Sequence, residues 1–255
     1  MIRRDQENIT VDPTSVVMPV MNNLQYTKSF MDSFYRQVSD PYELIIIDNA
    51  STDGTAEYLS EISSQNDRIK IITNEKNKGV CPSWNQGILA SKYDYVCIVN
   101  NDIEFMTLGL LGEMQKVIKK SPNIYWVSPA TIYIKDIKKL QYKPFHYEQL
   151  QYGVSNMRYI VGCCFMCPKR AFSEEEIGLF DEKFFPAYYE DLDYINRIMQ
   201  NGKGLSMCSS ATVYHAVGTT SRKTPNSSAN ESYYKQKWEG TQFDILAMQK
   251  NRGKQ

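Results

Sequence analysis

From residue 15 to residue 120, short apolar runs alternate with helical stretches, and no other feature narrows the fold as much. Residues 15–20 (SVVMPV), 42–50 (YELIIIDNA), 68–74 (RIKIITN) and 93–99 (YDYVCIV) read as strands. The second run is apolar through its centre without alternation, as in parallel strands covered on both faces. Between the runs, residues 26–38 place Phe30, Phe34 and Val38 on one helical stripe. Asp53, Gly54 and Thr55 sit near the start of another helix, and residues 79–90 and 106–120 supply two more. Such β–α alternation predicts a doubly wound, mostly parallel α/β sheet with right-handed crossovers.

The four strands end in polar residues: Asn22 and Asn23 just beyond the first, then Asp48 and Asn49, Thr73 and Asn74, and Asn100 to Asp102. In an open α/β sheet, ligands bind outside the carboxyl ends of the strands. The second half is less regular. Residues 123–134, 158–167 and 205–215 read as strands, and residues 188–203 as a helix stopping near Gly202. Residues 135–157 suggest a loop or small ribbon. Residues 218–230 are turn-rich, and residues 231–250 suggest a closing helix.

Composition excludes several classes. The 29 basic and 29 acidic side chains cancel, which argues against a nucleic-acid binder. No apolar segment is long enough to span a bilayer, and the first ten residues lack the apolar core of a signal peptide. A cytoplasmic setting is expected, with peripheral contact at the inner membrane face left open. The six cysteines read as reduced, partly buried thiols. Cys164 and Cys167 have no second pair at zinc-site spacing. The glycine-rich dinucleotide fingerprint and the Walker A loop are both absent.

The ordered motifs resemble inverting family 2 glycosyltransferases of GT-A fold, over roughly residues 14–220. SVVMPVMNN (residues 15–23) is similar to that family's opening strand and nucleotide-facing turn, and IIIDNASTDGT (45–55) to its base- and ribose-binding turn. NKGVCPSWNQGI (77–88) resembles the helix beneath the donor diphosphate. VNNDIEF (99–105) stands where the family keeps a D-x-D metal motif, with Asn100 in place of the first aspartate. YYEDLDYINRIMQNGK (188–203) resembles the acidic acceptor-side helix, and VYHAVGTTS (213–221) the late histidine segment. Within the family the pattern looks closest to bacterial rhamnosyl and related polysaccharide-building transferases.

The resemblance implies roles. Pro19, Asp48, Asp53, Gly79, Asn100, Asn101 and Asp102 fall on the donor side, for a UDP- or dTDP-sugar. Asp102 and His215 are the metal-side residues for Mn²⁺ or Mg²⁺, which favour oxygen ligands. Asp191 is the general base, and Glu190 orients a hydroxyl of the sugar or acceptor. Gly162 lets the backbone approach the donor sugar, and Trp84, Tyr188 and Tyr189 offer stacking faces. Arg222 and Lys223 close over the diphosphate. The acceptor is a carbohydrate or lipid-linked glycan. Residues 1–220 form one catalytic domain, with 14–105 mainly donor-binding and 155–220 mainly acceptor-binding and catalytic, followed by a mobile linker and helix over 221–255.

Each assignment has a plainer counterpart. Asp53 can cap a helix, and Asp102 can be a turn residue. Glu190 and Asp191 suit the positive end of any helix. His215 can be a turn histidine, and the aromatics can be core. A sugar nucleotidyltransferase would use a similar sheet and cation but needs a glycine-rich opening that PVMNNLQ lacks. A catalytically inactive carbohydrate-binding protein on the same fold is the remaining alternative.

Overall fold

A computed structural model describes residues 10–134, 162–216 and 227–244. The elements run β1 (Thr14–Val20), α1 (Leu24–Gln37), β2 (Tyr42–Asp48), α2 (Thr55–Gln65), β3 (Ile69–Thr73), α3 (Val80–Ala90) and β4 (Tyr95–Val99). They continue with β5 (Ile103–Phe105), α4 (Leu110–Lys120), β6 (Ile124–Ile134), β7 (Cys164–Pro168), α5 (Glu190–Gln200), β8 (Gly204–Ala216) and α6 (Ser227–Trp238). One eight-stranded sheet has the order β3-β2-β1-β4-β7-β6-β8-β5. The first four strands are mutually parallel. β7 runs antiparallel to β4 and β6, β8 is parallel to β6, and β5 is antiparallel to β8. The expected doubly wound, mostly parallel α/β architecture is thus present, with its antiparallel members in the second half.

The missing alternation has a simple cause. Val16, Met18, Leu44 and Ile46 face one core layer with Phe30, Phe34 and Met114 of α1 and α4. Val17, Ile45 and Ile47 face the other, with Trp84 of α3, Tyr194 of α5, and Tyr234 and Trp238 of α6. Both faces are dry, so both sets of alternating positions are apolar. The second layer is dominated by aromatic rings, with Trp126 stacked on Phe165 at 3.6 Å between centroids.

Three boundaries differ from the sequence reading. β5 was not foreseen, because three residues carry no period. α4 starts at Leu110 rather than 106, after Gly109 turns the chain at φ 69°. α6 already begins at Ser227, inside the stretch read as turn-rich, and Gly240 at φ 80° lies just past its end. The ribbon or loop expected over 135–157, and the chain after residue 244, lie outside the described residues. None of the described helices is long and apolar enough to cross a membrane.

Candidate active site

The turns after β1 and β2 are locked together. Asn22 and Asn23 adopt left-handed backbone, as does Ala50. The Asn22 amide donates to Ser51 Oγ at 2.8 Å, and Thr52 N donates to Asn22 Oδ1 at 2.7 Å. Asp53 Oδ2 accepts from Leu24 N at 3.1 Å, and its Oδ1 accepts from Thr55 N at 3.2 Å. Burial pushes the Asp53 carboxyl up, but hydrogen bonds from Thr55 and Leu24 outweigh it and hold the pKa below the usual range. One carboxylate therefore caps the first residues of both α1 and α2. That is a structural role for Asp53. Asp48 differs: it is buried at the end of β2 beside Pro19 and Val20 of β1, and its Oδ1 accepts from Ser51 N at 3.0 Å.

A neutral amide network shapes the next loop. Asn49 Nδ2 donates to Asn77 Oδ1 at 2.8 Å, while Asn49 Oδ1 accepts from Asn74 Nδ2 and Lys78 N, both at 3.0 Å. Asn74 and Gln86 exchange two amide bonds of 2.9 Å. Such a satisfied buried network rigidifies the crevice floor. Asn49 and Asn74 were visible as polar strand ends; Gln86 lay unmarked within a helical pattern. Gly79, at φ 88°, begins α3, and a Cβ there would lie 2.8 Å from the Phe185 ring. Its missing side chain admits residues 185 and 186, whose Pro186 carbonyl accepts from Val80 N at 2.8 Å.

The short strand β5 decides where Asp102 points. Ile103 pairs with His215 in the antiparallel ladder, and Ala216 N donates to the Asp102 carbonyl at 2.9 Å. This register brings His215 Nε2 within 3.3 Å of Asp102 Oδ1, both side chains largely buried. Burial lowers the His215 pKa, but the hydrogen bonds to Asp102 and Cys163 outweigh it and raise it to about 10. Asn101 is tied elsewhere: its Nδ2 donates to Thr27 Oγ1 of α1 at 3.1 Å. Asn100 N donates to the Cys163 carbonyl at 2.8 Å. Residue 163 thus touches both the Asn100 turn and His215.

The neighbour of Cys163 carries the arrangement to the acidic helix. A Cβ on Gly162 would lie 2.7 Å from Asp191 Oδ2, so only glycine leaves room for that carboxylate. Asp191 accepts hydrogen bonds from the Gly162 amide and, at 2.8 Å, from Leu192 N. Burial nevertheless raises its pKa above the ordinary carboxylate value. Gly162 was expected to approach the donor sugar; what it contacts is Asp191. Glu190 is 8% exposed, and among the described residues its Oε2 has no hydrogen-bond partner. Burial first, then the Asp191 charge, pushes Glu190 up to about 8. Tyr188 and Tyr189, which precede the helix, are both left-handed, at φ 82° and 72°. The Tyr189 ring packs on Tyr234, 5.5 Å between centroids. Asp193 is structural: fully buried, it accepts from Arg197 Nε, Trp238 Nε1 and Lys237 Nζ.

Trp84 is corrected outright. It is 2% exposed and packs edge-on against Phe165 and Phe180, at 5.6 and 4.9 Å, so it has no face for a sugar. Trp84→Ala is expected to cost roughly 3–5 kcal/mol of stability, read from urea unfolding, with UDP affinity unchanged in the folded fraction. A stable variant with impaired donor binding would restore the stacking role. Arg222 and Lys223 lie outside the described residues. All six cysteines are free and buried, and burial raises the Cys164 and Cys167 thiols well above their ordinary value. An open cavity of about 780 Å³ bounded by Tyr35 and by residues 62–68 lies at the opposite, amino end of the sheet.

The residues around Asp102 fit a divalent cation, but incompletely. A carboxylate oxygen and an imidazole nitrogen converge, and no group of three His, Cys, Asp or Glu side chains gathers anywhere among the described residues. Two protein ligands leave most of a six-coordinate shell to phosphate oxygens and water. Asn100 in place of a carboxylate agrees with that sparse set.

The family model for glycosyl transferase family 2 matches residues 15–175. The chain belongs to that family. Among curated relatives, the glycosyltransferase GlyG of Streptococcus pneumoniae is 30% identical over 88 residues, 34% of this chain and 29% of that protein. The putative teichuronic acid biosynthesis glycosyltransferase TuaG of Bacillus subtilis is 26% identical over 107 residues, 42% of each chain. The matched stretches therefore span less than half of these relatives' own lengths. Among solved structures, S. aureus TarS residues 1–349 in complex with UDP superposes with TM-score 0.64 at 16% identity, covering 81% of this chain and 61% of that one. Mannosyltransferase PcManGT from Pyrobaculum calidifontis, in complex with GDP-Man and Mn²⁺, gives 0.62 at 15% identity, covering 83% and 60%. At those identities the likeness establishes the GT-A-like fold.

Proposed function

We propose that this family 2 chain moves a sugar from a nucleoside diphosphate donor to an acceptor hydroxyl, with inversion, in one direct displacement. The observation that carries the reading is a single contact path: His215 and Asp102 meet at 3.3 Å, and residues 162 and 163 link them to the Asp191 carboxylate. A phosphate-side pair and a base-side carboxylate then flank one crevice at the carboxyl ends of the strands.

Asp48, with Pro19 beside it, receives the nucleoside. Asp102 and His215 would hold Mn²⁺ or Mg²⁺, the ion displacing the proton that His215 Nε2 carries against Asp102 when the site has no metal. Bound there, the cation supplies charge stabilisation to the departing diphosphate. Asp191 accepts the proton of the acceptor hydroxyl while that oxygen bonds to the anomeric carbon and the carbon–diphosphate bond breaks. Glu190, raised to about 8, stays largely protonated at neutral pH. Burial and mutual repulsion favour a single charge on the adjacent pair, placed here on Asp191 rather than on Glu190. Its buried Oε2 is available to order a sugar or acceptor hydroxyl. A UDP- or dTDP-sugar donor and a bacterial surface-polysaccharide or lipid-linked acceptor are favoured, in line with the teichuronic acid designation of one relative. Such an acceptor is met peripherally at the inner membrane face.

A screen of nucleotide-sugars, with and without Mn²⁺ and scored by nucleotide release, tests the reading; transfer from none of them would defeat it. Asp48→Ala is expected to weaken UDP binding by roughly tenfold or more, as for loss of a charged hydrogen bond. Calorimetry on the folded variant checks this, and unchanged affinity would remove Asp48 from the donor site.

A further inference from the structure

The final helix reaches the strained entry to the acidic helix. Asn230, in the first turn of α6, is 3% exposed. Its Nδ2 donates to the Ala187 carbonyl at 2.8 Å and to the Tyr188 carbonyl at 3.1 Å. These carbonyls bracket the point where the backbone enters left-handed conformation for two consecutive non-glycine residues, Tyr188 and Tyr189. L-residues with side chains adopt that conformation only where surrounding contacts over-determine it. Glu190 and Asp191 follow immediately, so the path of this turn fixes where Asp191 starts and how its carboxylate meets Gly162.

The clamp is itself anchored. Trp238 Nε1 donates to Asp193 at 2.8 Å, and Lys237 Nζ bridges Asp181 at 2.9 Å and Asp193 at 2.6 Å. Tyr233 OH donates to Asp181 at 2.8 Å, and Asn196 Nδ2 donates to Tyr234 OH at 2.7 Å. These contacts fasten α6 to α5 and to the segment preceding it. Asn230 is therefore presented from a rigid base and spends both amide hydrogens on the turn. A helix whose only task was to cover the core would need Tyr234 and Trp238, but not a buried amide aimed at two carbonyls.

We infer that Asn230 is a positioning residue, which holds the 187–189 turn so that Asp191 stands at the acceptor end of the crevice; the inference rests on the reading of Asp191 as general base. It extends the catalytic apparatus to α6.

The test compares Asn230→Ala and Asn230→Asp in the full chain. The aspartate keeps the shape but in its ionised form has no hydrogen to donate. Hydrogen exchange followed by mass spectrometry should show amides 187–192 exchanging roughly tenfold faster or more in both variants, as for one buried hydrogen bond lost. Peptides covering β1 to β4 and residues 233–238 should stay as in the wild type. Turnover with the nucleotide-sugar found active should fall roughly 10- to 10²-fold, as displacement of a catalytic group does. The donor KM and the affinity for UDP with Mn²⁺ should stay within about twofold, because Asn230 touches neither site. Unchanged exchange at 187–192, or faster exchange spread over α5 and α6 alike, would overturn the positioning role. So would a rise in donor KM with kcat intact. Failure of the general-base reading has a separate signature: wild-type turnover in Asp191→Asn, whatever the exchange data show.

Discussion

Asp191→Asn is expected to lower kcat by about 10²–10⁴-fold, the usual contribution of a positioned general base. The change keeps the shape of the side chain and its fit against Gly162 while removing basicity. UDP affinity should move little, because the base acts on the acceptor hydroxyl. The pH profile should carry the same signature. Burial raises the Asp191 pKa above the ordinary carboxylate value, and only the ionised form accepts a proton. Activity should therefore fall on the acid side as pH drops through that raised pKa, at higher pH than for an exposed aspartate. In Asp191→Asn this acid limb should vanish from the residual rate. Rate–pH profiles of both proteins with the same donor and acceptor check the prediction, and wild-type kcat in the variant would contradict it.

Removing the cation site should be comparably severe. Asp102→Ala is expected to cost roughly 10²-fold or more in kcat, the scale of one lost electrostatic stabiliser of a leaving group. EDTA should do the same to the wild type and add little to the variant. Calorimetry should show UDP affinity losing its dependence on Mn²⁺ in Asp102→Ala, while binding of uridine, which has no phosphates, is unchanged. His215→Ala should produce a smaller loss of the same kind. Full activity in EDTA together with a fully active Asp102→Ala protein would defeat the cation-assisted account.

The parallel half of the sheet was legible because its strands are buried on both faces, which prints uninterrupted apolar runs into the sequence. The polar residues at the strand ends were equally plain, but their division of labour was not. Asp48 and Asp53 lie in one short turn, yet Asp53 caps α1 and α2 through Leu24 and Thr55 while Asp48 lies buried at the strand end. Only the packing of two separate turns against each other sorts them. The meeting of Asp102 with His215 depends on β5, three residues paired with a strand far along the chain; no local pattern encodes that register. Trp84 sat in a motif that suggested ligand contact, and the aromatic layer claimed it. α6 was hardest to read. It lacks a broad apolar stripe, because Asn230 and Lys237 face the protein alongside Tyr234 and Trp238, and their partners on α5 and before it belong to a different stretch of chain.

The most direct measurement is the configuration of the anomeric carbon in the product, read by NMR from a reaction with a nucleotide-sugar of known configuration. One displacement, with Asp191 as base and no covalent intermediate, predicts inversion: an α-linked donor yields a β-linked product. A product that retains the donor's configuration would contradict the account.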